Sequence, residues 1–404
     1  MTGVGDGSPI AWDEAVAAVH AAGRAAAAPP VRLPIADCDG LTLAEPLVSL
    51  TDLPAFPTSS VDGYALRGAG PWRLNGRVLA GHTAEPIADG TAIEIATGAM
   101  VPAGTEHILR VEESTLDDDL VSGTPRSLPE WREPGDEAHK GDELLPAGIP
   151  VTPAVIGLAA ACGYDTLAVR RAPRAALLVF GDELRTAGPP GDGQVRDALG
   201  PQVPGWLRRL GAEPLPGFAP RGPIEDTLEA HVGALKDALE HADLVCTTGG
   251  TMHGPVDHLH PALAALGARY VVNTVAVRPG FPMLVAQLPD GKFVAGLPGN
   301  PQSAIVALMS LVEPLIAGLH GRAVPPRGTV TLGEPVPGRG GYTHLALVRV
   351  EADGLAYPLR HSASAMLRGL ARSDGFAVIV PGGQGDAGAV VPLVPLPMFF
   401  GARP

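Results

Sequence analysis

The sequence predicts a multidomain α/β protein: one parallel-sheet αβ domain, two smaller β-rich domains, and a linking domain of helix and extended chain. Three observations predict it. The chain has 404 residues, more than one hydrophobic core ordinarily serves, so two to four domains are expected. Between residues 174 and 321, short apolar runs alternate with helical patterns, as in a helix-covered parallel sheet. On either side, at 53–128 and again after Pro325-Pro326, glycine-broken β-like runs take over.

Each element follows from a local signal. Ala11, Ala15, Val19 and Ala22 recur at helical spacing and predict a first helix over 11–28. Short β-like runs follow at 72–74, 77–80, 92–96 and 107–111, enough for a small β domain. Thr152-Pro153 has the cap-then-proline order of a helix start and predicts a helix over 154–162. In the αβ region strands are expected at 175–180, 244–247, 271–277, 284–287 and 292–295, with helices near 203–210, 224–239, 259–266 and 304–319. β signals return at 328–332, 344–350, 376–380 and 389–393. The expected division is a discontinuous linking domain (1–52 and 129–173), an inserted β domain (53–128), the αβ domain (174–324) and a C-terminal β domain (325–404).

Composition narrows the function. A hydrophobic fraction of 46% is ample for burial, and no run of 18 uninterrupted apolar residues suggests a membrane span. Asp6, Asp13 and Glu14 near the N-terminus, with no basic segment, predict no secretory signal. Cys38, Cys162 and Cys246 are odd in number and far apart, the usage of reduced cytoplasmic thiols and not of a disulfide frame or zinc site. A formal charge of −14 argues against nucleic acid as a partner, since phosphate neutralisation needs clustered Lys and Arg. A small anionic substrate remains compatible if the few basic residues converge on one cleft.

The segment Gly296-Leu297-Pro298-Gly299-Asn300-Pro301-Gln302-Ser303-Ala304 ends an apolar strand and opens onto a helix. Asn300 or Ser303 is expected to cap that helix, whose first N–H groups would suit a phosphate. Three more glycine-bearing loops end predicted strands: Gly181-Asp182-Glu183, Thr248-Gly249-Gly250 through Asp257, and Arg278-Pro279-Gly280. In a doubly wound sheet such loops converge. Asp182, Glu183 and Asp257 would bring carboxylates and Arg278 a positive charge, and Mg²⁺ shared between carboxylates and phosphate reconciles the two. A single loop carboxylate is more often a solvated residue or a cap; four such loops together weaken that reading. Asp62-Gly63 can be read as a turn or as chemistry. His107, His253 and His258 show no metal-ligand spacing with cysteine. Ser59, Ser60 and Ser303 lack the setting of a nucleophile.

Taken together these blocks resemble the molybdopterin molybdenumtransferase family (MoeA and the gephyrin E domain), nearly end to end. The matching blocks are Ser60 to Ala65, Thr97-Gly98-Ala99, Gly181 to Leu184, Thr248-Gly249-Gly250 with Asp257, and Gly296 to Pro301 with Ser303. The resemblance implies an elongated homodimer whose αβ domain is of the molybdopterin-binding type, its cleft completed by the partner's β domain. It implies a cytoplasmic enzyme of molybdenum cofactor biosynthesis, in contact with other proteins of that pathway, that inserts molybdate into adenylylated molybdopterin with Mg²⁺-dependent release of AMP. It implies catalytic roles for Asp62, Thr97, Glu183, Asp226 (expected in the first turn of the 224–239 helix) and Asp257, with Glu183 and Asp257 on the metal. It implies ligand-binding roles for Gly249, Gly250, Arg278, Pro298, Gly299, Asn300, Pro301, Ser303, Arg132, Glu137 and Ser364.

Several positions depart from the family pattern. Phe180 stands for Thr, Leu199 for Asn, Phe281 for Lys, Arg278 for Lys and Met252 for Ser. Lost hydrogen bonds of this kind cost about 1–3 kcal/mol each, so weakened ligand binding is expected. The alternatives are a paralogue that binds a molybdopterin-like or nucleotide ligand without turnover, and a dimeric scaffold or assembly protein.

Overall fold

Glycine, proline and capping residues set where the elements of this chain begin. The computed structural model describes residues 9–215, 221–252 and 257–397; Asp6 and His253 lie outside them. The chain divides into two units, residues 31–169 and residues 1–30 with 170–404.

In the 31–169 unit the Thr152-Pro153 signal holds: Thr152 Oγ1 accepts from Val155 N at 3.3 Å, and the helix runs Pro153–Ala161. Val155 and Ala159 of this helix share a core with Leu43, Leu47 and Leu167. The small β region is a six-stranded sheet in the order His107–Arg110, Gly63–Leu66, Thr91–Ile95, Trp72–Val78, Leu120–Gly123, Ser114–Asp117. Asp62-Gly63 is not a hairpin turn but the entry to an interior strand. A Cβ on Gly63 would stand 2.1 Å from the Leu109 carbonyl oxygen, so the neighbouring strand's approach demands glycine.

In the other unit a seven-stranded sheet has the path Glu213–Pro214, Arg174–Phe180, Leu244–Thr248, Phe293–Leu297, Leu284–Gln287, Arg269–Asn273, with Arg221–Ile224 also paired to Arg174–Phe180. It is parallel except that Leu284–Gln287 runs antiparallel to both its neighbours. The link from Gln287 to Phe293 is a short turn, too short for the crossover a parallel pair needs. The expected 271–277 strand is broken. Arg269–Asn273 stays in this sheet, Thr274 turns at φ 72°, and Val277–Arg278 joins the C-terminal sheet.

The expected 224–239 helix starts later, at Leu228, because Thr227 is its N-cap and accepts from Ala230 N at 3.2 Å. Asp226 therefore precedes the helix. The 304–319 helix starts earlier, at Pro301, and contains a π turn at Leu308–Val312. Pro301–Leu319 is apolar and long enough to cross a membrane, yet 94% of its most apolar window is buried within the protein, as a core helix is. The helix Trp12–Ala25 packs on it, with Trp12 Nε1 donating to the buried Ser310 Oγ at 2.8 Å.

In the C-terminal sheet Thr343–Val350 pairs with Val277–Arg278, Leu355–Pro358 and Gly375–Ile379. The remaining pairings close a ring through Gly328–Leu332 and Val390–Pro395, which leaves few free strand edges. One core runs from the αβ sheet through the Pro301–Leu319 helix to Leu345, Leu347 and Phe376 of this ring.

Candidate active site

The short strand Val277–Arg278 pairs in parallel with Thr343–His344, which carries Arg278 from the αβ domain to the C-terminal ring. There a cavity of about 730 Å³ is lined by Arg278, Phe281, Pro298, Asn300 and Ser303 from one side and by Arg339, Tyr342, His344 and Ser362–Ser364 from the other. Five residues expected to bind ligand thus share one cavity: Arg278, Pro298, Asn300, Ser303 and Ser364. Arg339, Tyr342 and His344 escaped sequence reasoning, because only strand pairing brings them in.

Arg278 is held between two rings. Its guanidinium carbon lies 4.6 Å from the Tyr342 centroid and 5.2 Å from that of Phe281, and the rings meet edge to face at 5.9 Å. Cation–π contact of this kind orients a guanidinium. His344 is buried, and its Nδ1–H donates to the Pro337 carbonyl at 2.7 Å, leaving Nε2 as an acceptor. Burial pushes its pKa down, against the raising effect of that hydrogen bond, and Arg339 adds to the lowering.

The helix mouth differs from the expectation. Neither Asn300 nor Ser303 caps it with a side chain. Pro301 has no N–H, and the N–H groups of Gln302 and Ser303 donate to the Ser364 carbonyl at 2.9 and 3.3 Å. With those donors engaged by the C-terminal domain, positive charge in the cavity comes from Arg278 and Arg339, not from the helix end.

At the neighbouring strand ends, Gly249 and Gly250 follow Thr248 with φ of 84° and 67°, values that favour glycine. Gly249 N donates to Leu297 O at 3.0 Å, and a Cβ on Gly299 would be 3.8 Å from Gly249 Cα, so these two loops touch. Asp182 N lies 3.4 Å from Asp226 Oδ2, which brings Asp226 to the Gly181–Glu183 loop. The exposed Glu183 carboxylate folds back over Gly181, where a Cβ would be 2.7 Å from its Oε2. Asp257 is half-buried and follows residues outside the described set.

Among the described residues, Glu183 and Asp257 belong to no group of three mutually close ligands. Among the described residues, the group of three mutually close candidate ligands is Asp237, Glu240 and His241. Carboxylate oxygens such as those of Glu183 and Asp257 are the donor type that Mg²⁺ takes, one or two at a time, with water and phosphate completing its shell.

Two departures from the family pattern, Phe180 and Leu199, are buried in the core. Leu199 is 5% exposed and packs with Val203 and Leu207. Phe180 stacks on His231 at 3.8 Å, and His231 is fully buried with Nδ1 bonded to Thr227 O and with no partner for Nε2 among the described residues. Burial pushes the His231 pKa down. Leu199 itself therefore serves packing at this position.

In the 31–169 unit Asp62 and Thr97 do meet. Asp62 Oδ1 accepts from Thr97 N at 2.7 Å and from Thr97 Oγ1 at 3.0 Å. The amide bond first, then the hydroxyl, hold the carboxyl below its usual range. Arg132 lies in a two-residue strand paired with Thr58–Ser59, and Glu137 N donates to Leu53 O at 2.8 Å. Both side chains are exposed.

The fold and this cavity define a multidomain α/β protein with an oxyanion-compatible, carboxylate-flanked site at its strand ends. Residues 10–163 match the MoeA N-terminal region (domain I and II), 176–318 a probable molybdopterin binding domain, and 329–396 the MoeA C-terminal region (domain IV). The chain is 31% identical over 293 residues to the molybdopterin molybdenumtransferase of Staphylococcus aureus (strain Mu50), covering 69% of each chain. It is 33% identical over 291 residues to that of Haemophilus influenzae, covering 69% of this chain and 70% of the relative. A crystal structure of a molybdopterin biosynthesis MoeA protein from Pyrococcus horikosii shares the fold, with TM-score 0.77 at 24% identity over 97% of this chain and 100% of that one. The chain belongs to the molybdopterin molybdenumtransferase (MoeA) family.

Proposed function

We propose that this chain inserts molybdate into adenylylated molybdopterin, cleaving the pyrophosphate bond with Mg²⁺ and releasing AMP. The observation that carries the reading is the cavity at Arg278. Two arginines, Ser303 and Ser364 line it, and among the described residues no carboxylate does. Guanidinium forks and hydroxyls are the donors a tetrahedral oxyanion such as molybdate takes.

The loops at Gly249-Gly250 and Pro298–Pro301 form the wall on which the pterin phosphate rests. Mg²⁺ on Glu183 and Asp257 would neutralise phosphate charge as the bond breaks. Asp226 holds the Asp182 amide, which fixes the loop bearing Glu183. Asp62, kept ionised and aimed by Thr97, would orient the attacking water in the partner subunit's cleft, with Arg132 and Glu137 near it. That arrangement requires a homodimer. The buried thiols of Cys38, Cys162 and Cys246, none in a disulfide, suit a reducing compartment, which supports the cytoplasm; other proteins of molybdenum cofactor biosynthesis would supply substrate and accept product.

A second reading, a binding-only paralogue, is favoured by Phe281, the one departure for aromatic bulk that lines the cavity. Thermal-shift titration with molybdopterin, its adenylylated form and AMP, each with and without Mg²⁺, separates the two. The transferase should be stabilised most by the adenylylated form and only with Mg²⁺ present. Equal stabilisation by molybdopterin without metal would favour the paralogue, and no stabilisation by any of the three would remove both.

A further inference from the structure

The C-terminal domain holds a second hollow, of about 350 Å³, lined by Arg360, His361, Arg368 and Arg372. The chain carries a net charge of −14, yet among the described residues no carboxylate lines this hollow. None of the three arginines is ion-paired to a described residue, whereas most ion pairs elsewhere engage arginine.

The backbone makes the convergence. Gly369 N donates to His361 O at 3.1 Å and closes the loop between them. A Cβ at Gly369 would stand 2.7 Å from that oxygen, so the pinch is one only glycine allows. His361 takes φ 57°, a left-handed conformation that costs a non-glycine residue energy. Arg368 Nη1 lies 3.5 Å from His361 Nε2. The result is three guanidinium groups around one space without a counter-charge among the described residues.

We propose that this hollow is a second oxyanion site, separate from the Arg278 cavity, and that it takes a phosphoryl group. Guanidinium forks match phosphate oxygens in pairs, and a multivalent anion relieves the mutual repulsion of the three arginines. The source is either a free di- or monophosphate or the phosphate of a nucleotide. The two hollows are neighbours along the chain, since Ser362–Ser364 line the principal cavity and Arg360 and His361 line this one. The site does not depend on the transferase reading.

Calorimetric titration of the full chain with inorganic diphosphate, phosphate, AMP and adenosine tests it. The proteins compared are wild type, Arg368→Gln/Arg372→Gln, Arg368→Lys/Arg372→Lys and Arg278→Gln. Diphosphate or AMP should titrate one class of sites that the glutamine pair weakens about tenfold or more, that the lysine pair partly restores, and that Arg278→Gln leaves within twofold, whatever it does to binding in the Arg278 cavity. Circular-dichroism melts confirm that the variants fold. Tighter AMP than diphosphate assigns the nucleotide source, and the reverse assigns the free anion. Binding unchanged in the glutamine pair, abolished by Arg278→Gln alone, absent in wild type, or equal for adenosine and AMP would each overturn the proposal.

Discussion

Arg278 shows how a position that loses a lysine neighbour can keep its work through geometry. Sequence alone reads Phe281 as a lost charge; in the fold its ring and that of Tyr342 hold the guanidinium in place. Phe281→Leu and Tyr342→Leu should each weaken molybdate binding about twofold to thirtyfold, as loss of a contact of about 0.5–2 kcal/mol would, with little change in melting temperature. Equilibrium dialysis checks this, and unchanged affinity in both variants would remove the clamp from the site. Restoring the family residue at Leu199 is a different matter, because Leu199→Asn puts an amide into the core. The Asp62–Thr97 pair supports a second prediction. Thr97→Val keeps the amide donor and deletes the hydroxyl, so Asp62 should titrate nearer its ordinary value by NMR; an unmoved titration would mean the hydroxyl contributes nothing. Arg278, Asn300 and Ser303 were legible in the sequence because they sit in short, dense motifs, whereas Ser364 rested on the family resemblance alone. Arg339, Tyr342 and His344 were not, because the register of Val277–Arg278 against Thr343–His344 is non-local.

The element on which most depends is the helix Pro301–Leu319. Its apolar pattern was legible, but its start was not, since the partner for its first N–H groups is a carbonyl 61 or 62 residues away, at Ser364. The start of Leu228–His241 was misplaced for the opposite reason: the true cap, Thr227, lay inside the predicted helical run. The reversed strand Leu284–Gln287 was likewise hidden, because an apolar run does not state its direction. Two titratable groups of the C-terminal half of the Pro301–Leu319 helix, the half-buried Glu313 within it and the buried His320 that caps its end, act on stability in opposite senses. Burial pushes the Glu313 carboxyl from 4.5 up to about 7, so folding favours its protonated form. Its contribution is full below about pH 4.5 and is lost as pH rises through about 7. Burial first, with Arg322 adding, pushes His320 from 6.5 down to about 4 against the Gly211 hydrogen bond. Its contribution is full above about pH 6.5 and is lost as pH falls through about 4. The two offset each other between about pH 4.5 and 6.5. Glu313→Gln should therefore unmask a rise in stability across that interval, on the order of 3 kcal/mol, that the wild type lacks. Urea unfolding at stepped pH measures it, and superimposable profiles would refute the assignment.

At the scale of the whole molecule, the α/β class and the flanking β regions were legible from the alternation of patterns and its loss after residue 321. The closure of the C-terminal ring was not, since the strand Leu355–Pro358 carries a weak signal and its pairings are distant. The proposed reaction needs two subunits, because Asp62 and Thr97 are taken to serve the partner's cleft. Exposed apolar side chains on the 31–169 unit, among them Leu50, Phe56 and Leu128, provide surface for association. Light scattering should return about twice the 41.3 kDa subunit mass at micromolar concentration; a single subunit mass would contradict the shared cleft. The central claim is turnover, and AMP release measures it most directly. Purified protein given adenylylated molybdopterin, molybdate and Mg²⁺ should release AMP in step with molybdopterin consumed. Omission of Mg²⁺ should stop the release, and Asp257→Asn should lower it at least a hundredfold while the variant still binds the substrate. Wild-type protein that binds adenylylated molybdopterin and releases no AMP, or Asp257→Asn that releases it at the wild-type rate, would contradict the account.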